Sequence, residues 1–280
     1  MKDFARRTDE WFEPDGLGGF ASGTVSNIRT RRYHLLLAKA ISPISRIALV
    51  KGFDAKVEIG DEYHWITSQH CASDVVYPNR PAPMTKFERT PWPRWSFDLT
   101  DDLTIEQEIF IPRGSSLVTM GWRLIGRARE RIKLKVRLLH SGHDDSDSLQ
   151  RANNDFSFAT FVNGERFVFG SYPGVPDVIV QTNAFFVRDP VWYRNFLYLD
   201  EQAGGRDCVE DLASPGEFGW DLNGAKAVLA LAAKGGGQTL LGNETTGADF
   251  DHLRTAELTL RGVEQFQRQN NCAEALREIT

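Results

Sequence analysis

Alternation of apolar and polar residues with a period of two constrains the fold of this sequence more than any other feature. Leu103, Ile105 and Ile109 alternate with neighbours of which only Phe110 is apolar. Residues 132–138 alternate in the same way, with lysine or arginine at every second position. Successive side chains of a β-strand point to opposite faces, so each segment predicts a strand with one apolar and one polar face.

Further segments with strand-like composition follow along the chain, at residues 46–51, 55–59, 62–67, 117–125, 157–162, 165–169, 178–182, 185–188, 192–199 and 225–232. Asn163 and Gly164 lie between two of them and predict a hairpin with a type I′ turn. Proline-rich residues 78–93 and the Pro- and Gly-rich residues 170–176 predict loops. Many short strands with few helical patterns predict a mainly β protein, a large antiparallel β-sandwich (super-sandwich) over residues 1–245.

The last segment, residues 246–280, predicts a helical tail instead. Leu253, Ala256, Leu260 and Val263 recur at steps of three and four residues, which places them on one stripe of a helix. A break is expected near residues 270–271. Two interpretations of the tail stay open: a terminal helix that covers the sheet, or a segment that leads into or docks on something else.

Composition excludes several classes of function. The 33 Lys and Arg residues are outnumbered by 38 Asp and Glu residues, a formal net charge of −5, which argues against a polybasic nucleic-acid binder. No apolar run is long enough to span a bilayer, and the N-terminus lacks the apolar core of a signal peptide, so we expect a cytoplasmic protein that does not bind a membrane. The cysteines, Cys71, Cys208 and Cys272, are odd in number and loosely spaced, which argues against a disulfide framework, and no CxxC pair suggests zinc.

A glycine-rich stretch near the N-terminus is the most unusual segment. Residues 16–23 hold four glycines, and the run Arg31-Arg32-Tyr33-His34 follows shortly after. The spacing is not that of a dinucleotide-binding or phosphate-binding loop. Two interpretations remain: a β-arch with solvated or ion-paired arginines, or a polar loop that recognises sugar hydroxyls or a partner surface.

Two other groups of residues could carry chemistry. His140, His143 and Asp144, with Asp145 and Asp147, fit neither a calcium loop nor a zinc helix, and a capped turn is favoured. Four tryptophans are candidates to stack on sugar rings, although aromatic residues also fill sandwich cores, namely Trp92, Trp95, Trp192 and Trp220. No catalytic residue, cofactor or metal is assigned, because nothing places two carboxylates across a cleft and no nucleophile motif is present.

Taken together, these segments resemble the N-terminal domain of the bacterial and archaeal type of glycogen debranching enzyme, an amylo-α-1,6-glucosidase. The resemblance is carried by Glu10-Trp11, residues 16–25 and 30–34, then Arg137, Ser141, Asp144, Trp192-Tyr193, Asn195-Phe196, Glu210-Asp211-Leu212 and Ser214-Pro215-Gly216. Three positions depart from the family pattern: Asp15 stands in place of Asn, Leu35 in place of Gly and His143 in place of Arg.

The resemblance implies a β-sandwich that supports hydrolysis of α-1,6-glucosidic bonds by a helical (α/α)6 barrel in the same chain or another. The sandwich would be non-catalytic, pack on the barrel and contact α-glucan such as glycogen or limit dextrin. The helical tail resembles the start of the linker to the barrel. Residues implied to face the barrel or the substrate are Trp11, Asp15, Gly18, Gly19, Arg31, Arg32, Tyr33, His34, Arg137, Asp144 and Trp192, with Trp11 and Trp192 as stacking platforms.

Two rival interpretations belong to other classes of protein. The first is a stand-alone carbohydrate-binding module, which would bind glucan without a barrel. The second is a small sandwich hydrolase or epimerase with its own acid and base, which would release glucose from a branched dextrin by itself.

Overall fold

Two antiparallel sheets face each other and enclose one apolar core. The structure, a computed structural model, describes residues 9–42, 45–144, 148–235 and 247–278. In chain order the elements are β1 (Glu10–Pro14), β2 (Phe20–Thr24), β3 (Leu37–Ser42), β4 (Ser45–Ile59), β5 (Glu62–Trp65), β6 (Gln69–Cys71), β7 (Val75–Tyr77), β8 (Met84–Glu88), β9 (Arg94–Thr100), β10 (Leu103–Phe110), β11 (Val118–Gly126), β12 (Ile132–Asp144), β13 (Thr160–Asn163), β14 (Arg166–Phe169), β15 (Val178–Thr182), β16 (Phe185–Leu197), α1 (Leu199–Ala203), β17 (Val209–Asp221), β18 (Ala227–Ala233) and α2 (Gly247–Glu278). The predicted mainly β sandwich with a C-terminal helix is confirmed.

Each large sheet contains eight strands. Sheet I has the order β13-β14-β15-β18-β11-β10-β9-β8, and sheet II has the order β3-β4-β12-β17-β16-β6-β7 with β5 paired to β4. Strands β1 and β2 form a separate two-stranded sheet. The predicted hairpin joins β13 to β14, but its loop residues are Gly164 and Glu165, one position later than predicted, with Gly164 at φ +60°.

The core is formed by the apolar side chains of the alternating segments. Sheet I contributes Ile105 and Trp122, and sheet II contributes Leu134, Val136 and Phe218, all nearly inaccessible to solvent. Fully burying such a side chain stabilises the fold by about 1.5–3 kcal/mol, so the pairing of the two sheets follows directly from the period of two.

Helix α2 covers part of the outer face of sheet I. Phe110 points to that outer face, where its ring stacks on Trp92 with centroids 4.7 Å apart and meets Phe250 of α2 at 5.6 Å. The helix therefore explains why Phe110 is the single apolar residue on the polar side of its strand.

The predicted apolar stripe of the tail is largely wrong. Of its members only Leu253 is partly buried against the sheet, whereas Leu260 and Val263 are about half exposed. The docked face carries Phe250 and Glu257 instead. The helix runs through residues 270–271 without the expected break, and no helix in the described ranges is long and apolar enough to cross a membrane. The domain division at residue 245 stays a prediction.

Strand β17 is the principal element that the alternation did not predict. All but three of its residues are buried, so neither face is exposed to solvent and no period of two is visible. It also contains Pro215, which lies at a shift of register against both β12 and β16. Proline is tolerated within a sheet at such irregularities, since the missing N–H is not needed there.

A buried ion pair connects α2 to strand β1. The Arg261 guanidinium contacts Glu13, with Nη2 2.8 Å from Oε2, and also Glu257, with Nε 2.6 Å from Oε1. Both carboxylates are almost fully buried. One arginine therefore serves as the cation for two buried carboxylates.

Replacing Arg261 by methionine should lower the free energy of unfolding by about 3–5 kcal/mol, because it leaves two buried carboxylates without their cation. Urea unfolding would measure the change. The control is Arg113→Met, which removes an exposed ion pair to Glu264 and should cost no more than about 1 kcal/mol. Equal effects of the two substitutions would contradict this account of how α2 is held.

Candidate functional site

The glycine-rich loop at residues 15–19 is organised by the carboxylate of Asp15. This residue is buried, and its Oδ1 accepts the N–H groups of Leu17 at 2.6 Å and Gly19 at 2.8 Å. Gly16 and Gly18 have φ values of +76° and +95°, which glycine adopts without strain. A Cβ at Gly19 would lie 2.4 Å from the Asp15 carboxylate. Asp15 and the three glycines therefore shape the loop.

The second predicted segment, residues 31–34, lies beside the same two-stranded sheet. The N–H of Ser22 in β2 donates to the carbonyl of Leu35 at 2.8 Å, and the Ser22 hydroxyl donates to the carbonyl of Tyr33 at 2.6 Å. On the loop side, Nε of Arg46 donates to the carbonyl of Gly18 at 2.8 Å. The fold thus brings both predicted segments onto one region of the surface.

This region presents apolar and cationic side chains together. Phe12, Leu17 and Tyr33 are 59%, 58% and 48% exposed, and Arg31 is also exposed. The ring of Phe20 lies 5.2 Å from that of Phe12. We call these five residues the N-terminal surface.

The two arginines of the second segment differ in exposure and in partners. Nε of Arg31 lies 2.6 Å from Glu10 and 3.2 Å from Asp200, at the surface. Arg32 is mostly buried, and its backbone N–H donates to the carboxylate of Glu201 at 3.0 Å. Burial would raise the pKa of Glu201, but hydrogen bonds from Arg206 and from the Arg32 backbone outweigh it and lower that pKa below its ordinary value.

His34 is buried and acts as a brace of its own segment. Its Nδ1 accepts the N–H of Thr30 at 3.0 Å, so the ring proton lies on Nε2, which donates to Glu10 at 3.3 Å. Burial lowers the pKa of His34, and the nearby Glu10 carboxylate offsets only part of that effect. The imidazole is therefore neutral at pH 7 and fixed in one tautomer.

The remaining predicted site residues whose side chains the structure describes are not exposed on this surface. Trp11 is 5% exposed, meets Trp95 edge-on at 5.7 Å and offers no free face for stacking. Arg137 lies on the outer face of sheet II, paired with Asp189 and with Glu217. Asp144 ends strand β12, and its side chain lies outside the described part of the chain.

Trp192 belongs to a group of four aromatic residues on sheet II and its flanking loops. Its ring lies 5.2 Å from Phe156 and 6.0 Å from Phe158, and Phe156 lies 5.2 Å from Tyr172. Phe156 is buried, whereas Phe158, Tyr172 and Trp192 are partly exposed. We call these four residues the aromatic patch.

A buried polar cluster lies beneath residues 29–34. Glu210 of β17 has no exposure to solvent; the Ser141 hydroxyl donates to it at 3.2 Å, the Tyr198 hydroxyl donates to its other oxygen, and Nζ of Lys51 lies 3.7 Å away. Burial, together with the Glu210 charge, raises the pKa of Tyr198 well above its usual range. Sequence reasoning missed Lys51 and Tyr198, although a lysine inside the apolar run of residues 47–53 was a usable signal.

His140 lies beside this cluster and is fully buried against the ring of Phe169 at 5.6 Å. Burial lowers the pKa of His140 to about 3. Among the described residues, no group of three His, Cys, Asp or Glu side chains is arranged to hold a metal ion. Asp145 and Asp147 lie outside those residues.

The buried imidazole predicts a loss of stability in acid. Unfolded His140 takes up a proton below pH 6.5 and the folded form does not until about pH 3, so stability falls as the pH is lowered through this window and is level above it. Between pH 6.5 and 5 this residue should account for about 1.5 kcal/mol. Urea unfolding of the wild type and of His140→Phe over this range tests the prediction, and an unchanged pH dependence in the variant would contradict it.

Comparison with known families adds one match. The family model described as glycogen debranching enzyme N terminal matches residues 9–229. The match includes the N-terminal surface, the aromatic patch and the buried polar cluster. A search of curated proteins gave no match.

Proposed function

The chain belongs to the family of glycogen debranching enzyme N-terminal domains, and from this premise we propose that it supports α-1,6-glucosidic bond hydrolysis without performing it. In this proposal the sandwich packs on a helical-barrel catalytic domain, in the same chain or a separate one. The barrel supplies the acid and the base. The contact is made by the N-terminal surface.

The observation that carries the proposal is the convergence of the two predicted segments on one exposed, mixed surface. Phe12, Leu17 and Tyr33 offer apolar area, and Arg31 adds a charged donor beside them. The buried centres of protein interfaces are enriched in aromatic residues and arginine, and a few such residues dominate the binding energy. The composition of the N-terminal surface therefore suits docking of another folded domain.

Rigidity of the backbone strengthens this proposal. The Asp15 carboxylate fixes the loop that presents Leu17, and the neutral His34 ring fixes the segment that presents Arg31 and Tyr33. A surface held in its binding conformation loses less conformational entropy when a partner docks. Both buried residues are thus expected to act through the shape of the surface, without touching the barrel.

Replacing Phe12 and Leu17 together by serine should weaken the association with the barrel at least about tenfold, because it removes the central apolar area. Both side chains are exposed, so the fold should be retained. Where the barrel is a separate chain, calorimetry measures the affinity. Where it is in the same chain, debranching turnover and protection of residues 10–20 from hydrogen exchange report the contact.

The matched control is Phe161→Ser with Val162→Ser, which removes two equally exposed apolar residues from the edge strand β13. The control pair should leave association and turnover unchanged. If both double variants behave like the wild type, the N-terminal surface is not the docking site.

Contact with α-glucan is the second part of the proposal, and the aromatic patch supports it. Trp192 is partly exposed and flanked by further rings, an arrangement suited to stacking on a sugar. The same patch would serve the rival function, a stand-alone carbohydrate-binding module.

Titration of the chain with maltoheptaose should therefore give a saturable change in tryptophan fluorescence that Trp192→Ala abolishes. Trp65→Ala is the control, since Trp65 lies on a different strand, β5, with its ring against Tyr77, and should not affect binding. Binding that survives Trp192→Ala would exclude the patch. Tight binding without any association with a barrel would favour the stand-alone module.

A further inference from the structure

A small cavity lies between the turn that follows strand β2 and strand β4. Its polar lining consists of Ser22, Thr24, Asn27, Arg29 and Lys51, and its volume is about 30 Å³. One enclosed water requires about 10–15 Å³ of such cavity volume, so the cavity has room for two waters or one compact polyatomic ion.

Two of the lining residues carry nitrogen donors without partners. Among the described residues, Nε and Nη2 of Arg29 and Nδ2 of Asn27 are buried and make no hydrogen bond. Arg29 is only 7% exposed. An unsatisfied buried donor costs about 1–3 kcal/mol, and more when it carries charge, so a group that accepts these hydrogen bonds would be bound favourably.

The residues that line the cavity carry an excess of positive charge. No carboxylate is among the lining residues of the described chain, which instead include the cations Arg29 and Lys51. Outside the lining, the Glu210 carboxylate pairs with Lys51, and the Asp54 carboxylate attracts Arg29 without forming an ion pair with it. Among the described residues, Arg29 has no partner in an ion pair. Its guanidinium carbon lies 4.9 Å from the centre of the Phe196 ring.

We propose that this cavity binds a small oxyanion, either inorganic phosphate or the phosphate group of a sugar phosphate. Nε and Nη2 form one edge of the guanidinium, and that edge donates two parallel hydrogen bonds to two oxygens of a phosphate. Asn27 would donate a third, and the Lys51 charge would add attraction. An uncharged sugar would not neutralise Arg29, and a metal cation would be repelled by it.

An oxyanion in this cavity would stabilise the conformation of residues 31–34 in the candidate site. Asn27 and Arg29 lie in the connection between β2 and residues 31–34, and Asn27 adopts a left-handed φ of +62°. A shared anion would tie this connection to β4 through Lys51 and so hold residues 31–34 in place. The inference does not depend on the proposed function, because it concerns binding by this chain alone.

Calorimetric titration of the purified chain with inorganic phosphate, at constant ionic strength, tests the proposal. We expect saturable one-site binding, and at ten times Kd a rise in Tm of about 2–4 °C. Arg29→Gln should abolish binding. Arg188→Gln, at an exposed arginine of strand β16 that does not line the cavity, should bind phosphate like the wild type and controls for non-specific attraction.

A second variant keeps the test valid if Arg29→Gln does not fold. Asn27→Asp places a carboxylate beside Arg29 and retains a residue that tolerates the left-handed φ. It should raise Tm in the absence of phosphate and abolish phosphate binding. Absence of binding to the folded wild type would overturn the proposal, and so would binding that persists in Asn27→Asp or is matched by chloride.

Two further titrations distinguish the sources of the oxyanion. Competition by α-glucose 1-phosphate, with none by glucose, would show that the site accepts a phosphate ester. Binding of phosphate and sulfate without such competition would show that it accepts only the free ion. Either result supports an oxyanion site, whereas equal competition by glucose would contradict it.

Discussion

The carboxylate of Glu210 lies in a central strand without access to solvent, and the segments of the candidate site are arranged by its need for partners. Leaving such a charge unpaired would cost several kcal/mol. Three elements supply its partners: Lys51 from β4, Ser141 from β12 and Tyr198 from the start of α1. Nζ of Lys51 also donates to the carbonyl of Arg32 at 2.7 Å. One buried carboxylate thus fixes both α1 and the Arg32 segment on sheet II.

The core of the sandwich was predictable because its strands have one solvent-exposed face and one buried face. Where both faces of a strand are buried, the alternation of apolar and polar residues disappears, and β17 was missed for that reason. The C-terminal helix shows the complementary difficulty. Two stripes of α2 satisfy the helical period, and the one that docks includes the charged Glu257 and Arg261, because the ion pair to Glu13 outweighs the apolar character of Leu260.

The sequence was enough to identify the two segments of the candidate site. It was not enough to tell which of their side chains are exposed. In the sequence Glu10-Trp11-Phe12-Glu13 two aromatic residues are adjacent, so the pattern does not show which of them faces the core. The structure places Trp11 inside and Phe12 outside, so the residue chosen as a platform is the buried one. Lys51 is far from Tyr198 and Glu210 in sequence. The pairing of β4, β12 and β17 brings Lys51 towards Glu210, and the pairing of β16 with β17 brings Tyr198 there.

Strand β1 links the two covered outer faces of the sandwich. Glu13 on one side of the strand pairs with Arg261 of α2, which lies on sheet I. Glu10 on the other side pairs with Arg31 and His34, which lie over sheet II. Phe12 lies between these two carboxylates. A partner that displaced Phe12 and its strand would therefore have to break a buried ion pair on one side and a surface pair on the other. Because both pairs would have to break, the N-terminal surface keeps its conformation when a partner binds.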